Sequence, residues 1–573
     1  MTPAVGAPPS SRSELGGFRP DVIVVGAGLA GLVATHELVK AGRRVLVVEQ
    51  ENRHNLGGQA FWSLGGLFFV DSLEQRRTGI KDSPELALQD WLGSAGFDHP
   101  DEDVWPRRWA EAYVAWAAEG KRDYVHELGL KSLPFVGWAE RGSGLATGHG
   151  NSVPRFHLTW GTGPEVVRIF AEPVERGEQA GLVQFAFRHQ VDELVVENDA
   201  VVGVRGTVLA PDDSPRGVKS SRDADGTFEV RAQAVVISSG GIGHNRDAMR
   251  AIWPTERVGP APEHMICGVP AHVDGRMLGI AEGAGARIVN RDRMWAYTEG
   301  IHNWDPIWPD HAIRILPGPS SMWFDANGQR LTGMSGVPGA DSIGAMKQIL
   351  ATGHDYSWFV LTQSIIEKEF ALSGSEQNPD ITGKDLKYLI RSRLAKGAPE
   401  PVEKFKQHGV DFVVADTLSE LVTGMNKIAR GPDVDLADLE RQIVARDREL
   451  DNPFSKDVQL MVINNARKSR TDRLIRVAKP HRILDPAHGP LIAVRLNILS
   501  RKTLGGLETN LDSQVMRPDG HPFRGLYAAG EAAGFGGGGV HGYNALEGTF
   551  LGGCIFSGRA AGLALARTLG NDA

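Results

Sequence analysis

The sequence contains little of what marks several large classes of protein. Two cysteines, Cys267 and Cys554, lie far apart in a chain of 573 residues, which excludes a disulfide framework and a cysteine-rich metal site. We therefore expect no metal and a reducing, cytoplasmic location. No run of about 20 apolar residues occurs, so we expect no transmembrane segment. The formal net charge of −8 at pH 7 provides no basic face, so we expect no nucleic-acid partner.

Glycine, in contrast, is abundant, and the first functional signal lies in where the 70 glycines fall. The stretch DVIVVG, 21–26, is typical of a strand buried on both faces, and GAGLAG follows it directly. A helical pattern, LVATHELVKAGRR, leads to a second strand, RRVLVVEQ, which contains Glu49 near its end. This order of strand, glycines, helix, strand and acidic residue predicts a dinucleotide site.

Each residue of this motif has a physical role. Gly26 permits a tight turn, Gly28 lets backbone N–H groups approach a pyrophosphate, and Gly31 allows the helix to pack closely on the strand. The positive end of the helix dipole then faces the phosphates. Glu49 can accept hydrogen bonds from ribose hydroxyls and would repel a 2′-phosphate.

The remaining glycine motifs decide which dinucleotide is bound. Paired glycines occur at 57–58 and 65–66, ELVVENDAVVGVRG predicts a β-meander, and AQAVVISSGGIG and GLYAAGEAAG are strands that run into glycine turns. With ADTLSELV and TLGGLETN, these motifs resemble the flavoprotein superfamily of fumarate reductases, succinate dehydrogenases and 3-ketosteroid Δ1-dehydrogenases, the last being closest in type. The resemblance extends over nearly the whole chain.

The resemblance implies FAD and a set of residues that hold it. Glu531 takes the position that binds a flavin ribityl hydroxyl, and Val191 lies beside the adenine. Gln59 occupies the position where some relatives attach the flavin through a histidine, and His54 is out of register, so we expect non-covalent FAD. The expected cofactor-binding residues are Gly26, Gly28, Leu29, Ala30, Gly31, Glu49, Gly57, Gly58, Gln59, Gly65, Gly66, Val191, Ser239, Gly240, Gly530, Glu531, Ala545 and Leu546.

The run GGGGVHGYNA, 536–545, precedes the last predicted helix. The resemblance implies that this helix points its N-terminus at the flavin, where its N–H groups stabilise the negative charge of the reduced ring. We expect the glycines to let the backbone lie flat against the ring. The alternative is a loose linker.

The residues that clamp a dicarboxylate in fumarate reductases are mostly absent. The clamping arginine falls on Ala545, the histidine before the TxGG motif falls on Lys502, and the segment expected to supply a proton-donating arginine, 330–344, has none after Arg330. We therefore expect a substrate other than a dicarboxylate.

Two tyrosines, a histidine and a lysine are the catalytic candidates. The resemblance to ketosteroid dehydrogenases implies that Tyr543 polarises a substrate ketone while a second tyrosine, as phenolate, removes a proton. That second position reads Val337–Pro338, and Tyr297 is the nearest tyrosine. Lys502 can lower a tyrosine pKa or bind an oxygen, and His541 titrates near neutral pH.

Four tryptophans fall between 295 and 323, beside Tyr297, Phe324 and His302. They form either an aromatic, largely uncharged pocket for a flat hydrophobic substrate or core packing, and the sequence leaves both open.

The expected fold is α/β. A Rossmann-like FAD-binding domain of the glutathione-reductase type covers 21–250 and 490–573, an inserted α+β capping domain covers 251–489, and 1–20 forms a flexible tail rather than a signal peptide. The insertion at 93–129 contains two helical segments that close the pocket or contact another subunit.

The leading hypothesis is an FAD-dependent dehydrogenase that forms or reduces a C=C bond beside a carbonyl of a hydrophobic substrate, possibly a 3-ketosteroid. The electron acceptor is open among a quinone, a carrier protein and oxygen, and a homo-oligomer is possible. The alternatives are a flavin reductase or oxidase of a polar or anionic substrate, with Lys502 or Arg501 as its anion site, and a non-enzymatic flavoprotein electron-transfer subunit.

Overall fold

The computed structural model describes residues 17–137, 150–394, 397–469 and 472–569, so most of the expected tail over 1–20 lies outside them. The strands in chain order are β1 Val22–Val25, β2 Val45–Glu49, β3 Gly66–Phe68, β4 Ser132–Gly137, β5 Phe156–Thr159, β6 Val183–Phe187, β7 His189–Glu197, β8 Ala200–Leu209, β9 Ala224–Arg231, β10 Ala234–Ile237, β11 Met265–Cys267, β12 Ile288–Val289, β13 Met294–His302, β14 Ala312–Leu316, β15 Met322–Asp325, β16 Tyr356–Thr362, β17 Ala371–Leu372, β18 Phe412–Ala415, β19 Leu491–Thr503, β20 Gly506–Leu507, β21 Gln514–Met516 and β22 Pro522–Ala528.

The α-helices in chain order are α1 Leu29–Lys40, α2 Leu73–Arg77, α3 Pro84–Ala95, α4 Val104–Glu119, α5 Lys121–Glu127, α6 Thr162–Gln179, α7 Arg246–Ala251, α8 Thr255–Val258, α9 Arg276–Gly283, α10 Ser342–Leu350, α11 Gln363–Glu369, α12 Pro379–Thr382, α13 Leu386–Leu394, α14 Glu400–His408, α15 Leu418–Ile428, α16 Leu436–Arg448, α17 Val458–Ala466 and α18 Thr549–Thr568.

The first large sheet has the order β6-β2-β1-β10-β22-β8-β7, with β9 added to β8 and β21 to β22. Strands β6, β2, β1, β10 and β22 are parallel. β1 and β10 are buried along their whole length, as their continuous apolar sequences predict. The meander ELVVENDAVVGVRG forms the antiparallel pair β7–β8, with Asn198 and Asp199 at positive φ in the turn.

The second large sheet has the order β15-β16-β19-β13-β14-β17, with β11 and β18 also paired to β19. The 13-residue strand β19 is almost entirely buried and pairs along different parts with four neighbours, so it organises this sheet. Its core contains Trp323, Trp358 and Phe359, all fully buried.

The position of β19 differs from the expected domain boundary. Residue 490 was expected to return the chain to the nucleotide-binding domain, but the strand at 491–503 belongs to the second sheet. The chain returns to the first sheet with β21 and β22. Apolar strands of both sheets look alike in sequence, so a pattern of buried residues does not say which sheet a strand joins.

Helix α18 is long and apolar enough to cross a membrane by length and composition alone. It packs against α1, however, and 67% of its most apolar window is buried inside the protein, as in the core helix of a globular fold.

Candidate active site

A cavity of about 1020 Å³ lies where the two sheets meet. Its floor is formed by residues at the carboxyl ends of parallel strands: Val25, Glu49, Ser239 and Gly530. Ligands of open α/β sheets bind outside the carboxyl ends of the strands. The volume is at the upper end of the usual range for ligand pockets, so it suits a large cofactor or a cofactor with a substrate.

The first glycine motif has the geometry of a nucleotide cradle. A Cβ on Gly26 would lie 2.8 Å from the Ser238 carbonyl oxygen, and a Cβ on Gly31 would lie 2.2 Å from the Gly26 carbonyl oxygen. These two glycines are therefore required for close packing. A Cβ on Gly28 would have only the Ser238 oxygen near it, at 3.8 Å, and would otherwise project into free space beside the cavity. Gly28 thus leaves room for a ligand to approach the backbone, as its place in the motif predicts.

The acidic residue at the end of β2 holds the loop as well as lining the cavity. Glu49 accepts hydrogen bonds from the backbone N–H groups of Ala27, at 2.7 Å, and Glu51, at 3.0 Å. Burial raises its pKa, and these two N–H groups oppose that shift.

Most of the expected cofactor residues meet in this one cavity. They are Gly26, Gly28, Leu29, Ala30, Glu49, Gly57, Gly58, Gln59, Gly66, Val191, Ser239, Gly240, Gly530 and Glu531.

Four expected residues do not line the cavity. Gly31 packs as described above, and a Cβ on Gly65 would lie 2.6 Å from the backbone of Thr162. Ala545 and Leu546 are buried in an apolar cluster with Trp295 and Phe550. These four residues are close in sequence to residues that line the cavity, but the packing of their own turns keeps them away from it.

Glu531 is held by two partners that come from distant segments. It accepts from the Thr503 backbone N–H at 2.8 Å and from the Gln59 side chain at 2.9 Å. Burial raises the pKa of Glu531. His54, in contrast, is half exposed and lies 2.8 Å from Asp213, away from the cavity lining.

The inner wall of the cavity carries a cluster that the sequence did not predict. The Tyr297 hydroxyl donates to Glu547 at 2.8 Å, and Glu547 forms an ion pair with Arg314 at 2.9 Å. The Arg314 guanidinium lies 3.6 Å from the centroid of the Tyr297 ring. All three side chains line the cavity, and they combine a phenol, a carboxylate that can accept its proton, and a cation.

Arg501 and Lys502 extend this wall. Burial, with the nearby Arg501, lowers the pKa of Lys502 to about 7. The Lys502 ammonium lies 3.9 Å from the centroid of Phe550 and 5.8 Å from that of Tyr297. The interior of the cavity is therefore charged at this end, which corrects the expectation of a largely uncharged pocket.

Tyr543 lies outside the cavity lining, contrary to its expected catalytic place. Its ring is between two guanidinium groups, with Arg257 at 3.3 Å and Arg293 at 4.5 Å from the centroid. Its backbone N–H donates to the Ala95 carbonyl at 2.8 Å, which fixes the turn against the end of α3. The insertion that contains α4 therefore covers this tyrosine.

His541 also lies outside the lining and is buried. It stacks on Trp91, with ring centroids 5.6 Å apart, and its Nε2 lies 2.9 Å from the Thr549 hydroxyl. Burial lowers its pKa to about 3, so it stays neutral at physiological pH. The expectation that it titrates near neutral pH is wrong.

The four glycines 536–539 serve packing rather than contact with a flavin ring. All have positive φ, and a Cβ on Gly536 or Gly537 would lie 2.7 Å from Trp109 or Pro106 of α4. None of the four lines the cavity, whereas Gly548, at the N-terminus of α18, does. The helix end reaches the cavity as expected, but the glycine run packs against the insertion.

The four tryptophans of 295–323 also fail to line the cavity, and core packing is the correct alternative for the three that are buried. Trp295 and Trp323 are fully buried, Trp308 stacks on His311, and Trp304 is partly exposed. Tyr297 alone of the expected aromatic set reaches the lining.

The missed residues have a signal in the sequence. Arg314 is the one charged residue of the buried strand AIRIL, and Glu547 is the one acid in the buried stretch after the glycine run. A charge in an otherwise apolar buried segment points to a functional partner. Among the described residues, no group of three or more His, Cys, Asp or Glu side chains could hold a metal ion.

Comparison with known proteins agrees with this geometry. A family model described as FAD binding domain matches residues 21–551. A KsdD-like steroid dehydrogenase of Mycobacterium tuberculosis (strain CDC 1551 / Oshkosh) is 61% identical over 550 residues, 96% of each chain.

Two solved structures share the fold. A 3-ketosteroid Δ1-dehydrogenase of Sterolibacterium denitrificans is 17% identical, with a TM-score of 0.65, over 96% of this chain and 100% of the other. A flavocytochrome c3 fumarate reductase is 19% identical, with a TM-score of 0.61, over 96% and 78%. The resemblance inferred from the motifs is confirmed.

Proposed function

The chain belongs to the family of FAD binding domains, and from this premise we propose that it is a dehydrogenase of hydrophobic ketones, with 3-ketosteroids as its substrate class. The reaction forms a C=C bond beside the carbonyl. The 61% identity to a KsdD-like steroid dehydrogenase supports the substrate class. The observation that carries the reaction type is the Tyr297–Glu547–Arg314 cluster at the inner end of the cavity.

The cavity residues fit FAD. Gly28 leaves the backbone open to a pyrophosphate, Glu49 is placed at the edge for a ribose, and the N-terminus of α18 reaches the far end. Gln59 replaces a linking histidine and His54 points elsewhere, which supports non-covalent binding. Bound FAD supplies a hydride acceptor for the carbon beside the one that loses a proton.

Tyr297 is the proposed proton acceptor. It is the one tyrosine among the described residues of the cavity lining. Val337 and Pro338, where the resemblance placed a second catalytic tyrosine, also line the cavity, so that position offers no hydroxyl. Tyr297 receives the proton alpha to the carbonyl while its own proton passes to Glu547, 2.8 Å away.

Arg314 positions this relay. Its ion pair with Glu547 keeps the carboxylate oriented toward the Tyr297 hydroxyl, and its guanidinium lies over the tyrosine ring. A cation at this distance stabilises negative charge that develops on the phenol oxygen.

We further propose two functional units for the fold. The second sheet and the helices packed on it form a cap that closes the cavity, and a Rossmann-like FAD-binding unit comprises the first sheet with α1, α9 and α18. The two units meet at the cavity, which draws Tyr297 and Arg314 from one and Gly28 and Glu531 from the other.

A reductase of an anionic substrate is the second candidate. Arg314, Arg501 and Lys502 on one wall favour it, because three cations can hold an acid. The apolar residues of the same cavity, such as Leu133, Ile381 and Leu389, favour the hydrophobic ketone.

Anaerobic mixing separates the candidates. Purified holoenzyme is mixed with 4-androstene-3,17-dione, or with a dicarboxylate such as succinate, and the oxidised flavin band at about 450 nm is followed. The proposed function requires bleaching by the ketosteroid and none by the dicarboxylate. Bleaching by the dicarboxylate alone, or no bleaching across a panel of 3-ketosteroids, contradicts it.

A further inference from the structure

A β-bulge at the wall of the cavity brings two neighbouring cations to the same side. Strand β13 pairs with β19 so that Trp295 is opposite Lys502 and Ala296 is opposite Ser500, which leaves Arg501 as the extra residue. Consecutive residues of a regular strand point to opposite faces. The bulge redirects the strand, and Arg501 and Lys502 both line the cavity.

Among the described residues, neither cation forms an ion pair with an acid, although Glu547 and Glu531 act on Lys502 from a greater distance. Arg501 donates to the Gly268 carbonyl oxygen, and the described residues give Lys502 no hydrogen-bond or ion-pair partner. Glu531 is already bonded to Thr503 and Gln59. Arg314, by comparison, is paired with Glu547. An enclosed cation that lacks an ion-pair partner is costly, so a site of this kind favours a ligand atom that carries negative charge.

Lys502 and Tyr297 lie near each other at the wall of the cavity. The Lys502 ammonium is 5.8 Å from the centroid of the Tyr297 ring. Both side chains line the cavity, so a bound carbonyl group can place its oxygen at the ammonium while its alpha carbon faces the phenol. A charge that develops on the carbonyl oxygen therefore meets the cationic pair.

We propose that Lys502 and Arg501 form the oxyanion site of the reaction, which binds the substrate carbonyl and stabilises its enolate. The proposal rests on the ketone dehydrogenation proposed above and assigns to these cations the role that Tyr543 was expected to fill. As Tyr297 takes the alpha proton, the C–H electron pair forms the enolate double bond and the carbonyl π pair moves onto oxygen beside the two cations. When hydride leaves the neighbouring carbon for the acceptor that bound FAD would supply, the oxygen pair re-forms the carbonyl and the pair of the enolate double bond becomes the new C=C bond.

A phenolic steroid tests this site directly. Equilenin carries a phenol in place of the ketone, and its absorbance distinguishes phenol from phenolate. Free phenols have a pKa of about 10 and are therefore protonated in water at pH 7. An oxyanion site formed by cations should instead bind the phenolate at this pH. We expect bound equilenin to be mainly phenolate in the wild type, with a phenolate-to-phenol ratio at least tenfold lower in Lys502→Met and in Arg501→Met. Lys368→Met, which removes a charge from the outer lining, is the matched control and keeps the wild-type ratio.

The remaining outcomes separate the possibilities. An unchanged FAD spectrum in each variant establishes that the fold is intact. Neutral equilenin in the wild type, or an unchanged ratio in both variants, overturns the proposal. Bleaching by a ketosteroid in that case leaves the proposed function standing.

Sulfite tests whether the cations act on the flavin instead, because it forms an adduct that places negative charge on the flavin. If the variants lose sulfite affinity at least tenfold but keep the phenolate ratio, the cations act on the flavin and the proposal is wrong. Failure of every steroid to bind by calorimetry contradicts the proposed function as well.

Discussion

Lys502 is the residue whose charge is most sensitive to its surroundings. Burial and the nearby guanidinium groups of Arg501 and Arg314 disfavour its protonated form, while Glu547 and Glu531 favour it, and His541 beside it is neutral. The result is a pKa of about 7 for Lys502. A group with this pKa changes charge within the physiological range, unlike an ordinary lysine.

The rate of flavin reduction should therefore depend on pH through Lys502. The ammonium is charged below its pKa and neutral above it, so stabilisation of an enolate oxygen is present at low pH and lost as pH rises through about 7. Stopped-flow reduction by a ketosteroid should slow on this alkaline side. Lys502→Arg, whose guanidinium stays charged, should keep its rate to higher pH, and an identical decline in that variant would exclude Lys502.

Gly28 is a second residue at which a small change, the addition of one methyl group, should alter the binding of FAD. Its φ of −72° is accessible to any residue, and an added Cβ meets little of the protein. Gly28→Ala should therefore fold with near-normal thermal stability but bind FAD at least tenfold more weakly, because the methyl group occupies the approach of the pyrophosphate. Gly279→Ala, whose Cβ has nothing within 4 Å, is the matched control. Equal FAD affinity of the two variants, measured by titration of apoprotein, would refute the cradle.

At the scale of the element, the glycine run 536–539 and helix α4 form one unit. Trp109 lies against Gly536 and donates through its indole N–H to the Thr509 carbonyl at 3.1 Å. Trp91 of α3 donates in the same way to the Val540 carbonyl at 2.8 Å. Helices α3 and α4 thus fix the turn that leads to Glu547 and α18, although none of their described residues lines the cavity.

Gly536→Ala should show this structural role. A Cβ would lie 2.7 Å from the Trp109 ring, and φ is +140°, so overpacking and backbone strain should destabilise the protein by about 2 kcal/mol or more. The unfolding midpoint in denaturant should fall, while the rate of flavin reduction per bound FAD changes little. Wild-type stability would mean that Gly536 does not pack closely against Trp109. A loss of rate without a loss of stability would mean that the glycine run contacts the flavin after all.

For the whole molecule, the sequence predicts features built from one continuous stretch of chain and misses features built from distant segments. The strand Val22–Val25, the glycines after it and Glu49 follow one another within 30 residues, so their pattern is readable, and FAD as cofactor is confirmed by the family. The inner cluster comes from Tyr297, Arg314 and Glu547 on three separate segments. Tyr297 and Arg314 come from strands β13 and β14 of the second sheet and Glu547 from the turn before α18, and no local pattern specifies that these segments meet.

The same reasoning explains the misplaced candidates. Tyr543 occupies a position that the resemblance implies to be catalytic, but an insertion with α4 covers it, and two arginines enclose its ring. The turn it belongs to is local, whereas its covering depends on residues about 450 positions earlier in the chain, such as Ala95. A shared motif therefore predicts the backbone conformation more reliably than it predicts whether a side chain reaches the cavity.

The central claim is that Tyr297, rather than Tyr543, is the phenol that acts on the substrate. The most direct measurement is the anaerobic single-turnover rate of flavin reduction by 4-androstene-3,17-dione in the wild type, Tyr297→Phe and Tyr543→Phe, each with its FAD content determined. The account predicts a loss of at least 100-fold in Tyr297→Phe with FAD retained, as for removal of a general base, and a rate within about threefold of wild type in Tyr543→Phe. A normal rate in Tyr297→Phe together with a large loss in Tyr543→Phe would contradict it.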